Sequence, residues 1–216
     1  MENTMEKRFY SLGEEIFNAT THGIGAILSL AGFIILVVKA ALSGDSWSIA
    51  GGIVYGITLI IMYTMSTLYH AITNKTAKKV FRILDHCTIF LLITGTYTPY
   101  TLITLKGTLG WIVFGVLWGI TAVGIVLNSI SVEKFKKFSL FCYIGMGWAV
   151  VFTMGNFLKI MDPVGLAFLF IGGFFYTVGV IFYALKKVKY MHSVWHLFVL
   201  AGSIFHYFSI LLYVIK

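Results

Sequence analysis

The stretch HSVWHLFVLAGSIFHYFSILLYVI, residues 192–215, runs its whole length without an Asp, Glu, Lys or Arg. A helix needs about 20 mostly apolar residues to cross the hydrocarbon core of a bilayer, so this stretch reads as a membrane span. Its entry is not apolar. His192 and His196 lie four residues apart, which on a helix stacks both imidazoles on one face. Ionisable side chains are costly in a bilayer and are rarely kept there without a task. Two imidazoles so placed reach one metal ion.

Six more apolar stretches precede this one. The spans are expected at about 19–39, 48–72, 83–104, 109–130, 138–158, 164–185 and 192–215. Composition agrees: 59% of the 216 residues are hydrophobic and 11% are charged, whereas a soluble domain carries about a quarter charged residues. The expected fold is all-α, an integral membrane seven-transmembrane-helix bundle. It forms one domain over residues 19–216 behind a short polar amino-terminal segment, 1–18. Ser43-Gly44-Asp45, Lys106-Gly107 and Asp162-Pro163 carry turn signals between spans, and Pro99 is expected to kink the third span. No cleavable leader is expected, because the first fifteen residues are polar and charged. Cys87 and Cys142 fall in apolar runs and read as reduced core residues. Gly115-x-x-x-Gly119 fits a helix-packing pattern, but among 22 glycines one such match is expected by chance.

The net charge of +8 does not point to nucleic acid, because the basic residues sit at the ends of spans. Lys7, Arg8, Lys75, Lys78, Lys79, Arg82, Lys134, Lys136, Lys137, Lys186, Lys187 and Lys189 fall on one side; Lys39, Lys106, Lys159 and Lys216 fall on the other. The positive-inside rule then puts the amino terminus in the cytoplasm and the carboxyl terminus outside, in a multi-pass plasma-membrane protein. This is opposite to the orientation of G-protein-coupled receptors. A retinal protein is disfavoured as well, since the last span has no lysine before Lys216.

Given that topology, His70 ends the second span, Asp85 opens the third, and His192 and His196 open the seventh. Glu15, Asn18 and His22 lie at the entry of the first. All fall in one layer, within about two helical turns of the inner membrane surface. Imidazole suits Zn²⁺, and three protein ligands with an open fourth position mark a catalytic site. His70, His192 and His196 are the expected ligands. Asp85 either binds the ion directly or holds the attacking water as general base. Ser66, one turn from His70 on the same face, is placed to meet the attacked carbonyl or to orient the water. Other first-row metals share this ligand preference. Two rival readings stand beside this one: a hydrogen-bonded cluster that only glues helices together, and a Ser66–His70–Asp85 nucleophilic triad. His22 is either an outer partner of the centre or a cap on the first span. Glu15 is either in the polar network or in solvent. His86 points about 100° away from Asp85 around the helix, and His206, about 15 Å deeper than His196, reads as a packing or second-site residue.

These residues also form an ordered set of motifs: Glu15-Ile-Phe-Asn18-Ala-Thr-Thr-His22, Ser66-Thr-Leu-Tyr-His70, Asp85 and His192-Ser-Val-Trp-His196. The set resembles the progestin and adipoQ receptor family, in its bacterial haemolysin III-type branch, across all seven spans. The resemblance implies zinc held at His70, His192 and His196, with Asp85 reaching the ion directly or through water, and Ser66 and Asp85 as catalytic helpers. It implies kinship with ceramidase-like membrane hydrolases and a part in membrane-lipid or fluidity homeostasis. The expected function is therefore a zinc-dependent hydrolase of a lipid amide or ester, with membrane lipids as partners and a substrate that enters between helices. The alternatives are a non-enzymatic membrane sensor or regulator with structural zinc, and a pore-forming or haemolytic protein.

Overall fold

The computed structural model describes residues 10–185 and 187–215. Among these residues the chain is helical with no strand. Seven helices are long and apolar enough to cross a membrane: α1 (Leu12–Ser43), α2 (Ser46–Ala71), α3 (Lys75–Leu105), α4 (Gly107–Ile130), α5 (Val132–Ile160), α6 (Pro163–Ala184) and α7 (Met191–Val214). The chain is a multi-pass membrane protein.

The helices match the expected spans but several start earlier, and at α1, α3 and α5 a cap explains it. At α1, Ser11 and Glu14 form a reciprocal capping box, which satisfies two backbone donors that the helix leaves open. Glu15 and Asn18, expected in a separate amino-terminal segment, therefore ride on α1. At α3, Asn74 accepts from the Ala77 N–H at 3.0 Å, so Lys75, Lys78, Lys79 and Arg82 are helical rather than connector residues. At α5, Ser131 accepts from the Lys134 N–H at 3.2 Å.

Three irregularities shape the interior. Pro99 brings no N–H to α3, and the helix continues beyond it as a π turn over Tyr100–Leu105. The α5 ladder breaks at Ala149–Thr153, which is 3₁₀. There the Tyr97 hydroxyl donates to the Gly147 carbonyl at 2.7 Å and accepts from the Val150 N–H at 3.0 Å, so a side chain from α3 replaces a helical bond. α7 closes in a second π turn, Ile210–Val214, and Lys39 donates to the Leu211 carbonyl at 2.5 Å.

Packing is uneven around the bundle. α1, α2 and α3 approach closely, with Gly25 against Tyr63, Gly56 against Phe33 and Gly95 against Thr58. Helices α6 and α7 pair in the same way, Gly172 against His206 and Gly202 against Tyr176. Tyr55, Tyr63, Phe90, Phe157 and Ile210 are buried between helices, while Leu42, Phe141 and Phe152 face outward. α5 and α6 do not pack closely on each other and leave a cavity between them and α3. A Cβ added at Gly115 or Gly119 would meet nothing within 4 Å among the described residues, so this pair is not a close helix contact within the molecule. Cys87 and Cys142 are free and buried, as expected.

Candidate metal centre

The last turn of α2 and the first turns of α7 meet at the end of the bundle that carries the basic connectors. His70, His192 and His196 each offer one ligand atom there, and these atoms lie within 4.8 Å of one another. The ring orientations suit a shared ion. Nδ1 of His70 lies 2.6 Å from Oε2 of Glu15. A carboxylate accepts, so Nδ1 carries the proton and Nε2 keeps its lone pair. That Nε2 is buried and has no hydrogen-bond partner. The Nε2 atoms of His192 and His196 lie 3.2 Å apart. A buried nitrogen left unanswered costs about 1–3 kcal/mol, and a cation shared by the three rings removes that cost. The donor set therefore fits a metal ion bound through imidazole.

The amino-terminal turns of α1 hold this arrangement. Glu15 sits between two partners, His70 and the Lys78 ammonium at 3.0 Å; it is in the polar network and not in solvent. Asn18 is fully buried and accepts from the Ser193 hydroxyl at 2.6 Å, which ties α1 to the residue beside His192. Glu14 accepts from the Tyr190 N–H at 2.8 Å. Tyr190 has φ 63°, a region that costs a non-glycine residue about 1–3 kcal/mol, and the Glu14 contact holds it at the start of α7. Tyr10 stacks on His192 with ring centres 4.7 Å apart and meets the edge of His70 at 5.7 Å. Burial, with smaller additions from Tyr69, Tyr183, Asp85 and Glu15, pushes the Tyr10 phenol well above its ordinary pKa.

His22 does not cap the first span. It lies inside α1, buried, stacked on His196 at 3.6 Å and edge-on to Tyr63 at 5.0 Å. Neither of its nitrogens has a hydrogen-bond partner. Asp85 is buried and lines the cavity together with His22, but it stands outside the group of mutually close donors. His86 bonds the Arg82 carbonyl through Nδ1 at 2.9 Å and lies 3.8 Å from Asp85 Oδ2. Ser66 is buried with its hydroxyl unpartnered. Glu15 occupies the His70 nitrogen that a triad would need, and no hydrogen bond joins Ser66, His70 and Asp85. The nucleophilic triad is not assembled.

Residues 10–207, which hold all of these side chains, match the family described as "Haemolysin-III related". The chain belongs to the haemolysin-III related family. It is 41% identical over 215 residues to Hemolysin-3 of Bacillus cereus, covering 100% of this chain and 98% of that one. It is 40% identical over 207 residues to the Hemolysin-3 homolog of Bacillus subtilis (strain 168), covering 96% and 97%. It is 28% identical over 212 residues to the human monocyte to macrophage differentiation factor, covering 94% and 85%.

In this haemolysin-III protein the partners that sequence reasoning missed are Tyr10, Lys78, Tyr190 and Ser193. Lys78 and Ser193 were open to a sharper reading. Ser193 sits between the two histidines of α7, and Lys78 belongs to the basic cluster at the start of α3, on the same side as the histidines. Nothing in the sequence marks Tyr10 or Tyr190 among 12 tyrosines.

Proposed function

We propose that this haemolysin-III protein is a zinc-dependent hydrolase of a lipid amide or ester. It would lie in the plasma membrane with its amino terminus in the cytoplasm and serve bilayer lipid homeostasis. The observation that carries the reading is the meeting of three imidazoles beside an apolar cavity whose wall also holds Asp85. Three ligand-bearing residues come together among the described residues, which corresponds to the catalytic rather than the structural pattern of zinc sites. Nine basic residues at the histidine end, counted among the described residues, support the orientation.

When bound, zinc supplies Lewis acidity toward a carbonyl and brings the pKa of water to about 7. The residues of the chain supply the rest. Glu15 fixes the tautomer of His70 and so presents Nε2 as a ligand. Asp85, on α3, takes the proton of the attacking water and returns it to the leaving amine or alcohol. The Ser66 hydroxyl, one turn from His70, donates to the carbonyl oxygen. Asn18 and Ser193 hold the first turn of α7 against α1.

The cavity receives the apolar tail. It follows α3 from Asp85 to Tyr100, about 22 Å of helix. One leaflet is about half of a 30 Å hydrocarbon core, about 15 Å, so the cavity is long enough to take an acyl chain through one leaflet. The tail enters between α5 and α6, where the Trp148 indole N–H donates to the Thr177 hydroxyl at 3.1 Å across the gap. The test is turnover by purified, zinc-loaded protein on a broad panel of lipid amides and esters. Cleavage that disappears in Asp85→Asn while zinc is retained is expected. A panel left wholly intact contradicts the reading.

The name Hemolysin-3, borne by the Bacillus cereus relative, favours a second reading, membrane lysis. It predicts lysis of red cells by purified protein that survives His196→Ala.

A further inference from the structure

The cavity has a second polar point, far from the metal centre. Most polar side chains on its wall are already answered within the protein. Thr96 donates to the Leu92 carbonyl, Thr177 to the Gly173 carbonyl and Tyr143 to the His86 carbonyl, each at 2.7 Å. Tyr97 and Tyr100 are likewise engaged, with the Gly147 carbonyl and the Ser209 hydroxyl at 2.7 Å. His206 of α7 is different. It lines the same cavity and is 7% exposed, and its Nε2 lies 3.0 Å from the Leu169 carbonyl. A carbonyl only accepts, so Nε2 carries the ring proton and Nδ1 of the uncharged ring is an acceptor. That Nδ1 is buried and has no partner in the protein.

The ring is built into its position. The absence of a side chain at Gly172 makes the space that Cδ2 and Nε2 of His206 fill, and the Tyr176 ring meets it in a T-shaped contact at 5.2 Å. A turn of the imidazole would give up the Leu169 bond. An unanswered buried acceptor costs about 1–3 kcal/mol, and bulk water is absent at this depth of a bilayer. The ring borders the cavity, and a group that answers Nδ1 from there must donate. His206 lies ten residues beyond His196, about 15 Å along α7.

We propose that the cavity recognises an acyl chain bearing a hydroxyl group about 15 Å from the metal centre, the hydroxyl donating to Nδ1 of His206. The ligand class is a lipid hydroxylated part-way down its chain, and His206 is the residue that selects it. The inference rests on the reading of the cavity as a lipid-tail site, but not on turnover.

Equilibrium binding to the zinc-loaded, full-length protein in detergent tests it. The probes are a fatty acid with a mid-chain hydroxyl, its unhydroxylated parent of the same length, and an isomer with the hydroxyl next to the carboxylate. The wild type should bind the mid-chain hydroxy acid about two- to tenfold more tightly than the parent, the worth of one net hydrogen bond, and the isomer should lose that gain. His206→Leu should bind the hydroxy acid and its parent equally, with the affinity for the parent retained. Gly172→Ala, which displaces the imidazole, should lose the preference as well. Equal binding by the wild type, meaning that water alone answers Nδ1, overturns the proposal, and so does a preference that survives both substitutions. Preferential binding by a protein that cleaves no amide or ester upholds the subsite while the hydrolase reading falls.

Discussion

Glycine does opposite work on the two flanks of this bundle. Between α1, α2 and α3 an added Cβ at Gly25, Gly56 or Gly95 would run into Tyr63, Phe33 or Thr58. Along the faces of α5 and α6 that border the cavity, Gly147 and Gly173 have nothing within 4 Å of that point. In lipid there is little hydrophobic drive to press helices together, so close backbone approach and interhelical hydrogen bonds hold a bundle. The first flank has both, and it carries Glu15, Asn18 and His70. The second flank lacks the close approach and encloses space. One side of the molecule is the closely packed support of the histidine cluster, and the other borders the apolar cavity, the proposed tail site. Asp85 lies where the two meet.

Five substitutions, two of them read as a pair, would break or sharpen this contrast. The largest effect belongs to the border. Asp85→Asn should lower lipid turnover by about 10²–10⁴-fold, the usual worth of a general base, while leaving metal content unchanged; loss of the metal together with the activity would make Asp85 a ligand instead. Next, Glu15→Gln should weaken zinc binding by about 10–100-fold in a chelator competition, the range for an outer partner of a metal histidine. An unchanged affinity would mean that the packed flank does not orient His70. Third, Gly95→Ala should lower the stability of the detergent-solubilised bundle by about 1–3 kcal/mol through overpacking, whereas Gly173→Ala should stay within about 0.5 kcal/mol. Equal unfolding midpoints for the two would erase the difference between the flanks. The smallest effect is that of Thr177→Val, which removes the hydrogen bond from Trp148. That bond is solvent- or lipid-exposed, so thermal unfolding should shift by less than about 1 kcal/mol.

The seven spans were legible because apolar length is a constraint of the bilayer itself, and no tertiary contact overrides it. The histidine face of α7 was legible from a spacing of four. His70 joined it through topology, since a helix that ends on one side must deliver its last residue to that side. The remaining parts depend on meetings across the chain. Glu15 and His70 are 55 positions apart, and Asn18 and Ser193 are 175 apart; no local pattern reveals which of many polar residues will pair at such distances. The break in α5 was equally hidden. It has no proline within it and is caused by the Tyr97 hydroxyl of another helix. Helix starts came out late in the sequence reading because hydropathy marks where the membrane begins, whereas Ser11, Asn74 and Ser131 start their helices before it.

Metal content tests the central claim most directly. Protein purified without added metal, and a companion in which His70, His192 and His196 are all replaced by alanine, should be compared by elemental analysis after gel filtration. One zinc per wild-type chain and none in the companion is the predicted result. Zinc that is substoichiometric in both, or stoichiometric in both, would contradict a centre built by these three imidazoles.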